Sequence, residues 1–256
     1  MQNPVGAVFN PDTMRMEMTD FAAVILNPVA QAKFVHTVSA GYVLGAMFVM
    51  SISAWYVLKG RHIELAKRSM AVAASFGLAA ALSVVVLGDE SGYLTGEHQQ
   101  MKIAAMESMW ETEPAPASFN LLAWPDQAEH KNDFSIRIPY VMGLIGTRSI
   151  TQPLLGISDL VKRAEVRIRS GVAAYEELQR IRANPKDEAA RKAFAGDWHD
   201  LGYGLLVKRY QPDLSKVTDA QITQAAWDTV PTVTPIFILF RVMVGVGMYL
   251  ILFFAT

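Results

Sequence analysis

The chain has 256 residues, of which 52% are hydrophobic and 18% are charged, and its mean hydropathy is +0.21. This composition is too apolar for most soluble domains and too charged for membrane helices alone, so it predicts membrane helices joined to a sizeable polar part. The net charge of −1 argues against a nucleic-acid partner, and the lack of cysteine excludes disulfides, iron–sulfur clusters and thiolate haem ligation.

The first apolar run predicts a membrane-spanning helix over residues 28–58. Asn27 is a helix-capping residue type, Pro28 suits the first helical turn, and the run is long enough to span a bilayer. Residues 1–27 lack the basic start and apolar centre of a signal peptide. We expect these residues to be an extracytoplasmic lead-in.

Residues 59–69 form a short basic connection, and residues 70–87 form a second apolar run of spanning length that is predicted to end at Gly88. Short loops that are rich in lysine and arginine stay in the cytoplasm. We therefore expect the connection to be cytoplasmic and the stretch 88–233 to lie outside. The basic residues of the connection are Lys59, Arg61, Lys67 and Arg68.

The stretch 88–233 is polar and mixed in composition. Its sequence predicts a short helix around residues 98–111 and a charged helical hairpin over residues 157–210, broken at Asn184 and Pro185. This long segment is therefore expected to be partly helical.

Residues 234–256 form the third apolar run. A buried helix in a soluble protein would explain any one of these runs, but three of spanning length favour a membrane. The predicted fold is an all-α membrane protein with three transmembrane helices and a long, partly helical extracytoplasmic loop.

His36 is the histidine that lies inside an apolar run, eight residues after Pro28, and Met243 lies eight residues after Pro235. Each side chain is thus about 12 Å along its helix. A histidine and a methionine at matched depth can be the axial ligands of one haem, a pairing that favours electron transfer. The alternatives are a histidine bonded to a neighbouring helix and a methionine that fills the core.

Arg241 is the charged residue of the third run, and the three runs contain no Asp or Glu. An arginine near the centre of a span costs about 3 kcal/mol or more, so it normally faces a partner, a cavity or a cofactor. We expect it to pair with a haem propionate or to raise the haem potential. A salt bridge to an acid outside the three runs is the alternative.

A second candidate site lies in the outer stretch, where Asp89, Glu90, Lys102 and Glu107 follow the second run. A quinol loses two protons with its two electrons, so its site needs a carboxylate that accepts a proton and a donor that holds an oxygen. Glu107 and Lys102 supply these groups beside apolar residues. Simple solvation of both side chains on an exposed helix is the alternative.

Several sequence words run nearly end to end through the chain, among them NPVGA, LNPVAQAKFVHTV, GDESGY, KIAAMES, WETEPAPASF, DLGYGLLVKRY and FRVMV. By these words the chain resembles subunit I of the bacterial cytochrome bd quinol oxidases. The resemblance implies that His36 and Met243 are the axial ligands of a low-spin b haem, with Arg241 beside it. It also implies a quinol-binding outer loop that uses Lys102, Glu107 and Asp89.

The resemblance implies more membrane helices than this chain has, so we expect a partial subunit without the N-terminal and C-terminal helices. A second b haem and haem d are expected only in the complete subunit, and the chain alone is not expected to reduce oxygen. The implied partners are ubiquinol or menaquinol, a second large oxidase subunit, small membrane subunits and the lipid bilayer. The implied location is the bacterial inner membrane, with the long loop on the periplasmic side.

Two other functions stay open at this point. One is a non-catalytic, haem-binding electron carrier of the membrane. The other is an inactive truncated fragment.

Overall fold

The computed structural model describes residues 3–10, 12–13 and 15–256. These residues are mainly helical, as predicted, and they also form two antiparallel β-hairpins that the sequence patterns did not predict. The strands are β1 (Ala7–Asn10), β2 (Arg15–Met18), β3 (Phe119–Asp126) and β4 (Lys131–Ile138). The α-helices are α1 (Phe21–Ile25), α2 (Pro28–Leu58), α3 (Ile63–His98), α4 (Gln100–Met106), α5 (Ile157–Ala183), α6 (Glu188–Asp197), α7 (Leu201–Gly204), α8 (Asp219–Trp227) and α9 (Val233–Ala255).

Within the described residues, three helical stretches are long and apolar enough to cross a membrane, which confirms the predicted fold class. Lipid offers the backbone no hydrogen-bond partners, so apolar runs of this length fold as helices that bond internally. The stretches are Phe21–Leu58, Ile63–His98 and Val233–Ala255.

The start of α2 confirms the predicted cap. The Asn27 side chain accepts hydrogen bonds from the backbone N–H groups of Val29, at 3.0 Å, and Ala30, at 3.4 Å. Pro28 occupies the first helical position, where its missing N–H costs no hydrogen bond. The cap fixes where the helix begins and therefore the depth of His36 along it.

The predicted end of the second run at Gly88 is wrong, because α3 continues to His98. A glycine inside a helix costs about 1 kcal/mol relative to alanine, which lowers helix stability without ending the helix. Gly88 packs against the His36 ring, so its small size serves a contact between helices. The polar end of α3 thus extends the membrane helix without a break.

One compact unit contains α1, α2, α3 and residues 237–256. Helices α2 and α3 form a hairpin, and the end of α9 packs on them in a buried cluster of Ala46, Ala81 and Phe254. A Cβ added at Gly77 would lie 2.5 Å from Cε1 of Phe254. Glycine at this position therefore permits the contact between α3 and α9.

The second unit contains residues 6–19 and 99–236, and α5 is its central helix. The apolar face of α5 buries Ile157, Val161, Ala164 and Ile168 in the main core. Helix α6 returns along the second half of α5, which confirms the helical hairpin predicted for this region. The fold therefore places a helical core behind the segment that carries Lys102 and Glu107.

Helices α5 and α7 meet backbone to backbone at two glycines. A Cβ added at Gly171 would lie 2.1 Å from the Asp200 carbonyl oxygen, and one added at Gly204 would lie 2.2 Å from the Gly171 carbonyl carbon. Gly196 of α6, by contrast, has nothing within 4 Å of its added Cβ. Only the first two glycines of these three are required by close approach.

We predict that Gly171→Ala destabilises the chain by about 3 kcal/mol, since the methyl group must displace backbone. The control Gly196→Ala should raise stability by about 0.5–1 kcal/mol, because alanine loses less conformational entropy in a helix. Urea unfolding in detergent, followed by tryptophan fluorescence, measures both. Equal effects of the two substitutions would contradict the close crossing of α5 and α7.

Candidate functional site

His36 lies on α2 with its ring against α3. A Cβ added at Gly88 would be 3.3 Å from His36 Cε1 and 3.7 Å from Nδ1. The Nδ1 atom is buried and has no hydrogen-bond partner among the described residues. Buried polar atoms are normally satisfied, so an unused ring nitrogen between two apolar helices is typical of a functional histidine. The contact does not support the alternative of a ring bonded to a neighbouring helix.

Met243 lies on a stretch of α9 whose neighbours Val242 and Val244 are also exposed. Its side chain is 56% exposed and does not belong to the buried cluster at the end of α9. Met243 therefore lies outside the described core, which does not support the alternative of a core-filling methionine. Because α9 begins at Val233, Met243 is about 15 Å along its helix, compared with about 12 Å for His36.

The Arg241 guanidinium lies over aromatic rings of its own helix. Its Cζ is 4.1 Å from the centroid of the Phe237 ring and 5.4 Å from that of Phe240. Residues two apart on a helix point to different faces, so Arg241 and Met243 do not project side by side. Arg241 therefore suits the edge of a bound group more than the position next to the Met243 sulfur.

His36 and Met243 are residue types that can serve as axial ligands of a haem. The described residues contain no group of three or more His, Asp or Glu side chains that could hold a metal ion. A haem iron takes only two protein ligands, so this finding concerns other metal centres. The two side chains lie on different helices of the same unit.

Lys102 and Glu107 both belong to the segment of α4, in the second unit, but they differ in exposure. Lys102 is exposed, whereas Glu107, at the C-terminal cap, is only 4% exposed. They are five residues apart, which separates them by about 7.5 Å along the axis and places them on different faces. The alternative of simple solvation thus holds for Lys102 and fails for Glu107.

The end of α4 is a Schellman motif. The Ser108 N–H donates to the Ala105 carbonyl at 3.2 Å, and the Met109 N–H donates to the Ala104 carbonyl at 2.8 Å. Ser108 adopts the left-handed conformation, with φ of 51°, that usually favours glycine. The chain turns sharply here, directly after Glu107.

Hairpin β3–β4 covers this turn and hydrogen-bonds to it. Asn120 donates to the Glu107 carbonyl at 2.7 Å, and Asn132 donates to the Ser108 carbonyl at 3.0 Å. The Asn132 side-chain oxygen also accepts from the indole N–H of buried Trp110, at 3.2 Å. These asparagines were missed in the sequence, because the hairpin that aligns them was not predicted.

Two further contacts tie the segment after the turn to its surroundings. The Thr112 hydroxyl donates to Asp159, in the first turn of α5, at 2.7 Å. The hydrogen bond from Lys162, and then that from Thr112, lowers the pKa of Asp159. His130, at the hairpin turn, stacks on Trp227 with ring centroids 3.8 Å apart.

Asp89 belongs to a different compact unit from Lys102 and Glu107. It is an exposed residue of α3 and belongs to the unit of membrane helices. The structure therefore places Lys102 on α4, Glu107 at the C-terminal cap of α4, and Asp89 on α3.

The sequence model of one protein family, described as Cytochrome bd terminal oxidase subunit I, matches residues 1–256. The chain belongs to this family. It is 46% identical over 252 residues to Cytochrome bd-II ubiquinol oxidase subunit 1 of Escherichia coli (strain K12). The matched residues make up 98% of this chain and 49% of the relative. The chain thus spans about half the length of that relative.

A further relative and a solved structure are also similar to the chain. The chain is 33% identical over 164 residues to Cytochrome bd ubiquinol oxidase subunit 1 of Bacillus subtilis (strain 168), over 62% of the chain and 34% of the relative. The solved bd oxidase of Geobacillus thermodenitrificans matches 99% of the chain and 62% of its own chain, with a TM-score of 0.54 and 17% identity. This second likeness supports the fold.

We predict that Gly88→Ala lowers the amount of haem that the chain retains. The added methyl would push the His36 ring by a few tenths of an ångström, at a cost of about 1–3 kcal/mol. Gly92→Ala, also on α3, adds its methyl to open space and is the matched control. Haem per chain, measured after purification in detergent, should fall only for Gly88→Ala, and an equal content in both variants would refute the contact.

Proposed function

We propose that the chain is the quinol-oxidising, haem-carrying part of subunit I in a bd-type quinol oxidase. The observation that carries this proposal is the family match over residues 1–256, joined to a relative that is named a ubiquinol oxidase subunit. The rigidly held and buried Glu107 supports a catalytic use of the outer segment. Oxygen reduction, with a second b haem and haem d, is assigned to the complete oxidase.

In this proposal, His36 and Met243 hold a low-spin haem b. A haem held by these two side chains would supply one-electron redox chemistry. The buried and otherwise unbonded His36 Nδ1 and the exposed Met243 side chain support the assignment. Arg241 contributes a positive charge that stabilises the reduced state and can pair with a propionate.

Glu107 and Lys102 are proposed to bind the quinol. A quinol gives up two protons with its two electrons, and Glu107 accepts one of these protons. Lys102 donates a hydrogen bond to a quinol oxygen, since its flexible stem lets an exposed ammonium group approach from the water side. Asp89 is proposed to contribute a further carboxylate to substrate binding.

The proposed location is the bacterial inner membrane, with several spans. The basic connection 59–69 would face the cytoplasm and the stretch 88–233 the periplasm, according to the positive-inside rule. The proposed partners are ubiquinol or menaquinol, a second large oxidase subunit, small membrane subunits and the surrounding lipid.

We predict that the purified chain gives a low-spin b-type signal in its reduced-minus-oxidised visible spectrum. His36→Ala and Met243→Leu should each abolish or shift that signal, because each removes an axial ligand. Met248→Leu is the matched control, since Met248 is another exposed methionine of α9. A signal that survives in Met243→Leu, or that Met248→Leu equally removes, would contradict the assigned ligand.

We also predict that Glu107→Gln lowers the rate of quinol-driven haem reduction by about 10²-fold or more, since it removes a general base. The rate is measured by stopped flow in membranes that contain the assembled oxidase. Glu129→Gln, in the exposed turn of hairpin β3–β4, is the control. A normal haem spectrum with an unchanged rate in Glu107→Gln would contradict the proposed role of Glu107 as the base. A haem that quinol does not reduce, even in the wild type, would support the electron carrier.

A further inference from the structure

Hairpin β3–β4 buries a polar side chain and exposes large aromatic side chains. Asn120, on β3, is only 3% exposed, whereas Trp124 on the same strand is 60% exposed and Phe134 on β4 is 56% exposed. Burial of an amide side chain costs free energy unless hydrogen bonds compensate it. The inward asparagines must therefore be explained by what they bond to.

The inward asparagines bond mainly to the backbone that follows α4. Asn120 Nδ2 donates to the carbonyls of Glu107, at 2.7 Å, and Ser108, at 3.4 Å. Asn132 Nδ2 donates to the same Ser108 carbonyl at 3.0 Å, and its Oδ1 accepts from the Ser108 hydroxyl. Side chains from both strands thus hydrogen-bond to the carbonyls of two consecutive residues, Glu107 and Ser108.

The other side of these peptide units is held by α4 itself. The Ser108 N–H donates to the Ala105 carbonyl at 3.2 Å and the Met109 N–H donates to the Ala104 carbonyl at 2.8 Å, so that the N–H and the carbonyl of both peptide units are bonded. Ser108 is held at a φ of 51°, which costs about 1–2 kcal/mol for an L-residue other than glycine. A strained conformation persists only where surrounding contacts over-determine it, and Asn132 supplies such contacts.

We propose that Asn120 and Asn132 are positioning residues that fix the backbone of Glu107 and thereby hold its carboxyl group in place for proton transfer from quinol. This inference rests on the proposed function of Glu107. Neither asparagine needs to touch the quinol, because each acts through the peptide units at positions 107 and 108. The hairpin serves as a clamp on the base.

Proton transfer requires tight geometry, which explains why a clamp is useful. Functional groups must be held within about 0.5 Å of the productive position, and a displacement of about 1 Å can reduce a rate about 10²-fold. Glu107 lies at the end of a helix of only seven residues, α4, which alone is a weak support. The hairpin supplies the missing rigidity.

The test is a double-mutant cycle of Asn120→Leu and Glu107→Gln in membranes that contain the assembled oxidase. Leucine matches asparagine in size and removes the donor to the Glu107 carbonyl. The kcat and KM for ubiquinol-1 oxidation are measured for the wild type, both single variants and the double variant. Asn184→Leu, at the exposed end of α5, is the matched control and should leave both constants unchanged.

We expect Asn120→Leu to lower kcat about 10²-fold, with a much smaller change in KM, because the base is displaced. In the Glu107→Gln background, Asn120→Leu should have no further effect, since the base is already gone. An equal effect in both backgrounds, or none in the wild type, would overturn the positioning role and leave the proposed function standing. An unchanged kcat in Glu107→Gln would overturn the proposed role of Glu107, and the positioning role with it.

Asn132→Asp provides a second variant in case Asn120→Leu fails to fold. It keeps the size and the acceptor oxygen for Ser108 and Trp110, and it replaces the donor to the Ser108 carbonyl by a carboxylate oxygen that adds a negative charge. A lower kcat that is again absent in the Glu107→Gln background supports the clamp. An equal fall in kcat in the wild type and in the Glu107→Gln background contradicts the positioning role.

Discussion

The free-energy cost of a buried polar group without a partner is the constraint on which the structure depends. In the membrane helices it forces the backbone to bond internally, and the hydroxyls of Ser51, Ser75 and Ser83 likewise donate to carbonyls four residues earlier. In the second unit, the same cost means that Asn120 can be buried only where backbone carbonyls accept its hydrogen bonds. Against this background, the unbonded Nδ1 of His36 points to a site for a ligand.

Glu107 and Lys102 illustrate how a site can divide rigidity and mobility between two residues. The proposed base, Glu107, lies at a point where the helix end, the left-handed Ser108 and the hairpin all restrict the backbone. The lysine lies on the exposed face of the same helix and keeps its freedom. If the proposed quinol site is correct, its substrate meets one group with a fixed backbone and one exposed group.

The sequence predicted the membrane helices and the charged helical hairpin, because long apolar runs and helical spacing are strong local signals. It also singled out His36, an imidazole inside an apolar run. It selected Glu107 only by residue type and by the family resemblance, because the burial of Glu107 depends on the tertiary structure. It could not predict hairpin β3–β4, since the strands place Asn120 inside and Leu122 outside, against the expected alternation. The end of α3 was misplaced because Gly88 serves packing against His36, which only the tertiary structure reveals.

The uninterrupted length of α3 has a mechanical consequence. Its 36 residues measure about 54 Å, whereas the hydrocarbon core of a bilayer is about 30 Å thick. Any tilt that adapts the helix to a thinner or thicker bilayer must therefore displace its polar end as well, because α3 is one continuous helix. The backbone first leaves the helical conformation at Gln99, directly after α3 and three residues before Lys102.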